Sequence, residues 1–469
     1  MSVLDILLGK PLASSDERGE QIGASAGIPI FGLDALSSAA YGPEAALTLL
    51  RPLGIAGVAY IVPVSASIIV LLAIVYVSYR QTIAAYSGGG GSYTVASENL
   101  GVLPGLLAAA ALMIDYILTA AVGISAGVGA LVSAVPNLQP HTLSLCLGIL
   151  TLITLVNLRG VREAGAVFMI PTYLFIGTLL LTIAGGLIKT ILAGGHPAPV
   201  VAPSASAPPV TAIVGVWLLL QVFSSGCTAM TGVEAVSNGV RAFREPIVKT
   251  AQRTLTVIIV LLIVLLAGIA YLVRAYGITA TDPGQPGYQS VLSMLVMAVV
   301  GRGWFYYVTI GSVVAILSLS ANTAFADFPR LCRAVAQNNF LPHAFAFRGR
   351  RLVFTEGILV LAALTAGLLI LFDGVTDRLI PLYAIGAFLA FTMSQAGMVA
   401  HWKRVQGSGA TRNALLNGLG AAATGATLLV VLVGQVHARS VGEHAPDRDH
   451  AVGDAMGAPP LRSRCAGNP

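Results

Sequence analysis

The sequence predicts an all-α, polytopic membrane protein with about eleven spans, and three observations predict it. Of its 469 residues, 56% are hydrophobic and only 10% are charged, whereas soluble domains carry about 25% charged residues. Apolar runs of roughly 18–25 residues recur along the chain, each long enough to cross a hydrocarbon core of about 30 Å. Lysine and arginine crowd alternate connections and thin out in the others, which is how cytoplasmic loops differ from external ones.

Spans are read at 26–50, 56–78, 103–132, 142–158, 167–189, 212–238, 255–274, 303–326, 355–372, 379–400 and 414–434. The stretch 288–300 is too short to cross and reads as an interfacial helix before the eighth span. Residues 1–25 form a cytoplasmic N-terminal segment whose charges and missing apolar core exclude a cleavable signal. With that end inside, seventeen Lys and Arg, from Lys10 to Arg412, fall on the cytoplasmic side. Five (Arg51, Lys189, Arg274, Arg302 and Arg378) fall outside. The net charge of +6 is therefore a topology signal rather than a nucleic-acid surface, and the predicted location is the cell membrane, with lipids as partners. The Pro/Ala/Ser stretch 193–210 lies in an external loop without Lys or Arg. Cys146, Cys227, Cys332 and Cys465 are isolated and form no metal or disulfide framework.

Two spans are interrupted by small polar residues. "FGLDALSSAAYG" (31–42) in span 1 places the interruption at Asp34–Ser38; "FSSGCTAMTGVEAVSNG" (223–239) interrupts span 6. Five spans separate the two, as in a five-plus-five inverted repeat of about 26–191 and 212–401. Unwound backbone in a bilayer survives only where protein, water or an ion satisfies it. Asp34 and Glu234 make both interruptions anionic, and Ser37, Ser38 and Thr231 add hydroxyl oxygens. In span 3, Asp115, Thr119 and Gly123 follow at helical spacing on one face, with Tyr116 beside it. A carboxylate at mid-span costs about 2.5–3.5 kcal/mol on the insertion scale, and no Lys or Arg lies near mid-span to neutralise these three. Oxygen-rich, unpaired acid groups suit a desolvated cation and a mobile proton.

The stretches "IPIFGLDALSSAAYGPE", "DYILT", "TGVEAVSNG", "SANTAFADFPRL" and "LIPLYAIGAFLAFTMSQAGM" resemble spans 1, 3, 6, 8 and 10 of the KUP/Kim-type potassium–proton symporters, in the amino acid–polyamine–organocation (APC) superfamily. The resemblance runs from about residue 26 to 433. It implies the APC/LeuT-like fold and import of potassium in symport with protons, without a resident cofactor. It also implies cation-binding oxygens on Asp34, Tyr41, Asp115, Thr119, Thr231 and Glu234, with Tyr116 and Tyr383 as gate or lining residues. Potassium would meet Asp34, Asp115, Thr119 and Thr231, and Glu234 would carry the proton. One departure is Gly123, where the family usually has a serine. The other follows residue 434, where the family continues with a twelfth span and a cytosolic domain that supports homodimers. Here residues 435–469 are polar and patternless, and they read as disordered or as the product of a shifted frame or truncation.

Blander readings compete with these. Asp34 and Glu234 would serve as caps of broken helices, Thr119 and Thr231 as hydroxyls bonded to the preceding turn, and Tyr41 and Tyr383 as packing aromatics. "SGGGGSY" (87–93) lacks the ending of a phosphate loop and reads as a flexible turn. Asp327, Arg330 and Arg333 read as one cytoplasmic charge cluster. No nucleophile–base set shares an element, so an enzyme is not expected. Within the superfamily an amino-acid or polyamine permease is the alternative; outside it, a non-transporting sensor. Asp34 would repel a substrate carboxylate, an objection that does not reach polyamines.

Overall fold

A backbone surrounded by lipid must satisfy its own hydrogen bonds, and an apolar chain does so by forming helices. The computed structural model describes residues 22–440, except 90, 160–163, 204–209, 211, 212, 284, 286, 348, 350–352, 406 and 408, and the side chains of 164–167 and 435–440. The described residues form α1 (Ala24–Phe31), α2 (Leu33–Leu50), α3 (Ile61–Ala85), α4 (Ser92–Leu100), α5 (Val102–Ala134), α6 (Thr142–Leu158), α7 (Ala164–Leu192) and α8 (Val216–Gly226). They continue with α9 (Ala235–Asn238), α10 (Ile247–Ala275), α11 (Val291–Val300), α12 (Trp304–Gln337), α13 (Thr355–Leu371), α14 (Thr376–Val405) and α15 (Ala410–Ser440). The only non-helical pairing among them is an isolated bridge, in which the Ile22 N–H donates to the Ala242 carbonyl at 2.8 Å and the Arg244 N–H to the Ile22 carbonyl at 3.0 Å.

Among the described residues, eight helical segments are long and apolar enough to cross a membrane, and Val216–Met230, Val291–Val300 and Thr355–Leu371 are shorter apolar helices. Leu33–Ala85 counts as one segment, although a 3-10 stretch, Arg51–Tyr60, divides α2 from α3. The division falls at Gly54, whose φ of 62° a residue with a Cβ adopts at a cost.

The bundle is held by close approach rather than by oil-and-water partition, which lipid does not supply between helices. α5 and α12 pack along most of their length. At their contact, a Cβ on Gly123 would lie 2.5 Å from Ser320 Oγ and 2.8 Å from the Leu317 carbonyl oxygen. Gly42 of α2 meets Ala229, and Gly239 meets Phe31. Phe31 in turn stacks on Phe243 with ring centroids 5.0 Å apart.

Several expectations change. Span 1 is not interrupted at Asp34–Ser38; that stretch is regular helix, and the interruption is the single residue Gly32. The 288–300 helix does not lie open on a surface. Residues Val291–Val299 of α11 are all buried, and its first N–H donates to Glu44 Oε2 of α2 at 3.2 Å. The cluster at the end of span 8 splits: Arg330 pairs with Asp327 at 3.1 Å, while the Arg333 guanidinium lies over the Phe354 ring at 5.3 Å. In "SGGGGSY", whose residue 90 lies outside the described residues, Gly88 packs against Arg241, and Gly89 and Gly91 against Asn238. The last helix runs on to Ser440, six residues beyond the expected span. The tail after residue 440, including Cys465, and residues 1–21 lie outside the described residues. Cys146, Cys227 and Cys332 are buried and free.

Candidate cation site between two interrupted helices

The second interruption is long. α8 ends at Gly226, a 3-10 turn covers Cys227–Met230, Thr231 is extended (φ −64°, ψ 153°), and helix resumes at Ala235. The pivot is Gly232, at φ +77°. A Cβ there would sit 2.7 Å from the Ala35 nitrogen and from Asp34 Cβ and Cγ. The two interruptions therefore touch, and the point of contact is the first turn of α2, where Asp34 sits.

Hydroxyl groups sew the two together. Ser38 Oγ lies 2.6 Å from the carbonyl oxygens of both Ala35 and Ala229, donating to one at a time. The hydroxyls of Tyr41 and Thr231 are 3.0 Å apart, and Thr231 Oγ1 is also 3.0 Å from the Thr228 carbonyl. From α14, the Tyr383 hydroxyl stands 2.9 Å from Thr119 Oγ1 of α5 and donates to Asp34 Oδ1 at 3.5 Å. The Tyr41 and Tyr383 rings are 6.5 Å apart at their centroids. Ser37 bonds back to the Asp34 carbonyl at 2.9 Å and is a local cap rather than a bridge.

The three acids face inward. Asp34, Asp115 and Glu234 are 6%, 1% and 3% exposed, which excludes the lipid-facing arrangement. Asp115 is within electrostatic range of Asp34 and Glu234, and Glu234 of Asp34. Among the described residues no Lys or Arg pairs with any of them. Asp115 Oδ1 and Glu234 Oε2 are buried without a hydrogen-bond partner, a condition that normally marks a missing ligand, ion or proton. Among the described residues no three His, Cys, Asp or Glu side chains converge on one metal position. A cation beside Asp34 would therefore take most of its remaining oxygens from hydroxyls and carbonyls.

Tyr116 stands slightly apart. Its hydroxyl accepts from Asn238 Nδ2 of α9 at 2.9 Å and so joins α5 to the chain leaving the second interruption.

Sequence reasoning missed two residues. Ser320 of α12 puts its hydroxyl against Gly123, filling the space that a side chain at that position of α5 would take. Glu44, 7% exposed, accepts from the Tyr288 hydroxyl at 2.8 Å as well as from Val291 N–H. The signal for Glu44 was present as a second acid in span 1. Ser320 had none, because serine at a helix interface is common.

The amino acid permease family model matches residues 23–444. This chain belongs to the amino acid permease family. The permease is 40% identical over 432 residues to a Bacillus subtilis (strain 168) protein, potassium transporter KimA, in a match that covers 92% of this chain and 70% of that one. Permease membership and the crossing helices make the protein a multi-pass membrane transporter by kinship.

Proposed function

We propose that this protein is a secondary active transporter that imports potassium across the cell membrane in symport with protons. The observation that carries the reading is the ring of oxygens at the meeting of the two interruptions: the Asp34 carboxylate with the hydroxyls of Tyr383, Thr119, Tyr41 and Thr231, without a basic partner. Carbonyl and hydroxyl oxygens of this kind replace the hydration shell of a bare alkali ion. The kinship with the potassium transporter of Bacillus favours that ion over others.

In this reading Asp34 is the direct ligand of the cation, with Tyr41, Asp115, Thr119 and Thr231 completing its shell. Glu234, buried and with one oxygen unpartnered, carries the proton. Tyr116 and Tyr383 line the path. The fold is a five-plus-five inverted repeat, about 26–191 and 212–401, within an eleven-span domain of 26–434 whose N-terminus is cytoplasmic. Two pairings fit such symmetry: α1 with the chain after α9, through Phe31–Phe243, and α2 with the 3-10 turn, through Gly42 and Ala229. The family description favours one second reading, an amino-acid or polyamine permease. Asp34 opposes a substrate carboxylate at this point, which leaves polyamines as the stronger form of it.

The deciding test is growth of a potassium-uptake-deficient bacterium at limiting potassium. Expression of the unmodified protein should restore growth, and Asp34→Asn should not while still reaching the membrane. Failure of the unmodified protein alongside saturable polyamine uptake would move the assignment to the second reading.

A further inference from the structure

A cavity of about 510 Å³ opens beyond the tyrosine pair, among Thr48, Gln221, Ser224, Asp282 and Asp377. Ala45 and Thr48 belong to its wall, one and two helical turns along α2 from Tyr41. On α14 the wall runs from Asp377 to Ala384 and so reaches the neighbour of Tyr383. The cavity therefore comes within one helical turn of Tyr41 along α2 and one residue of Tyr383 along α14.

Its charges are unevenly paired. Arg51 and Arg378 both stand in the wall, but Arg51 is paired with Asp282 at 3.3 Å and Arg378 with Asp373 at 3.2 Å. Asp377 lies in the field of Arg51 but is in no ion pair among the described residues; its Oδ2 accepts the Thr48 hydroxyl at 3.2 Å. Facing the same space is Ser224, 4% exposed, whose Oγ has no hydrogen-bond partner. A buried hydroxyl left unpaired beside a cavity asks for a ligand or water that the cavity brings. The space is large enough for on the order of fifteen waters at about 30 Å³ each, so an ion held there keeps most of its hydration shell, unlike one in the ring below.

We propose that this cavity is a second cation site, in which a hydrated monovalent cation rests against the Asp377 carboxylate and the Thr48 and Ser224 hydroxyls before it passes the Tyr41–Tyr383 pair. The site rests on the reading of the protein as a cation carrier. It is distinct from the inner ring in residues, in volume and in the state of its ion.

The test is equilibrium binding of radioactive rubidium to the purified full-length protein in detergent, with monodispersity checked for each variant. Asp34→Asn, which disables the inner ring, should retain rubidium binding. Adding Asp377→Asn to it should abolish that binding, and adding Ser224→Ala instead should weaken it several-fold. Equal binding by Asp34→Asn and by both double variants, including none in any, overturns the proposal; the Ser224→Ala arm decides it if Asp377→Asn does not fold. Asp377-dependent binding by a protein that transports no potassium would keep the cavity site and remove the transport reading. Asp34-dependent potassium uptake without Asp377-dependent binding would do the reverse.

Discussion

The two interrupted helices solve the same problem by opposite means. At Gly32 the chain yields by one residue and keeps its ladder: the Gly32 N–H still reaches the Ile28 carbonyl and the Leu36 N–H reaches Gly32, both at 2.8 Å. At Cys227–Glu234 the helix is dismantled, and side-chain hydroxyls of Ser38, Thr228 and Thr231 take over its carbonyls. The first interruption aims a charge with little loss of stiffness. The second gives up stiffness to bring backbone oxygens and a positive-φ turn against that charge. An acid on rigid helix facing a pliant loop can hold an ion in one state and release it in another, since only one side has to move.

If that contrast is right, the rigid side should be the less forgiving of lost chemistry. Asp34→Asn is expected to bring potassium uptake in proteoliposomes to background while circular dichroism and membrane insertion stay unchanged. Uptake near the parental rate would remove Asp34 from the ring. The pliant side should be the less forgiving of added bulk. Gly232→Ala carries the left-handed penalty of about 1–2 kcal/mol and also drives a Cβ into Asp34 and Ala35. Both uptake and the midpoint of thermal unfolding should fall; a variant with the parental midpoint would show that the contact is loose. Glu234→Gln tests the division of labour between the acids. Parental uptake should decline as external pH rises, because fewer carriers hold their proton, and the variant should lose that slope while still binding potassium. The smallest effect is expected from the Tyr41–Thr231 bond. Tyr41→Phe and Thr231→Val should each cost a net of about 0.5–1.5 kcal/mol of cation binding, and the pair more than either alone but less than the sum, because each removes a ligand oxygen while their shared bond is lost only once.

Much of this site is legible in the sequence, and the reason is the bilayer. A carboxylate costs so much in lipid that Asp34, Asp115 and Glu234 stand out from apolar runs with no structure in hand. Helical spacing then brings Thr119 onto the face of Asp115. Where the reading went astray, the cue was chemical and the answer geometric. Asp34–Ser38 drew attention because it is polar, yet a polar stretch can remain helical, and the chain yields at Gly32. Residues 288–300 are short, which says nothing about whether they lie on a surface or, as α11 does, within the bundle. Ser320 and Ser224 are hidden for a different reason. Hydroxyls in membrane helices mostly bond to their own preceding turn, as Ser320 does to the Leu317 carbonyl at 2.7 Å. Only the position of the neighbouring helix reveals which of them also faces a functional space.

The glycine-rich loop before α4 carries a consequence of its own. Gly88 abuts the Arg241 guanidinium and Gly91 the Asn238 side chain, a few residues past the point where span 6 comes undone. Neither glycine sits at positive φ, so the loop's own conformation would admit larger residues there; it is the neighbours, above all Asn238 beside Gly91, that leave little room. Bareness here is thus a property of a bearing surface, and most sharply at Gly91, where a single added methyl group would press on the Asn238 side chain at the end of the helix that follows the unwound segment.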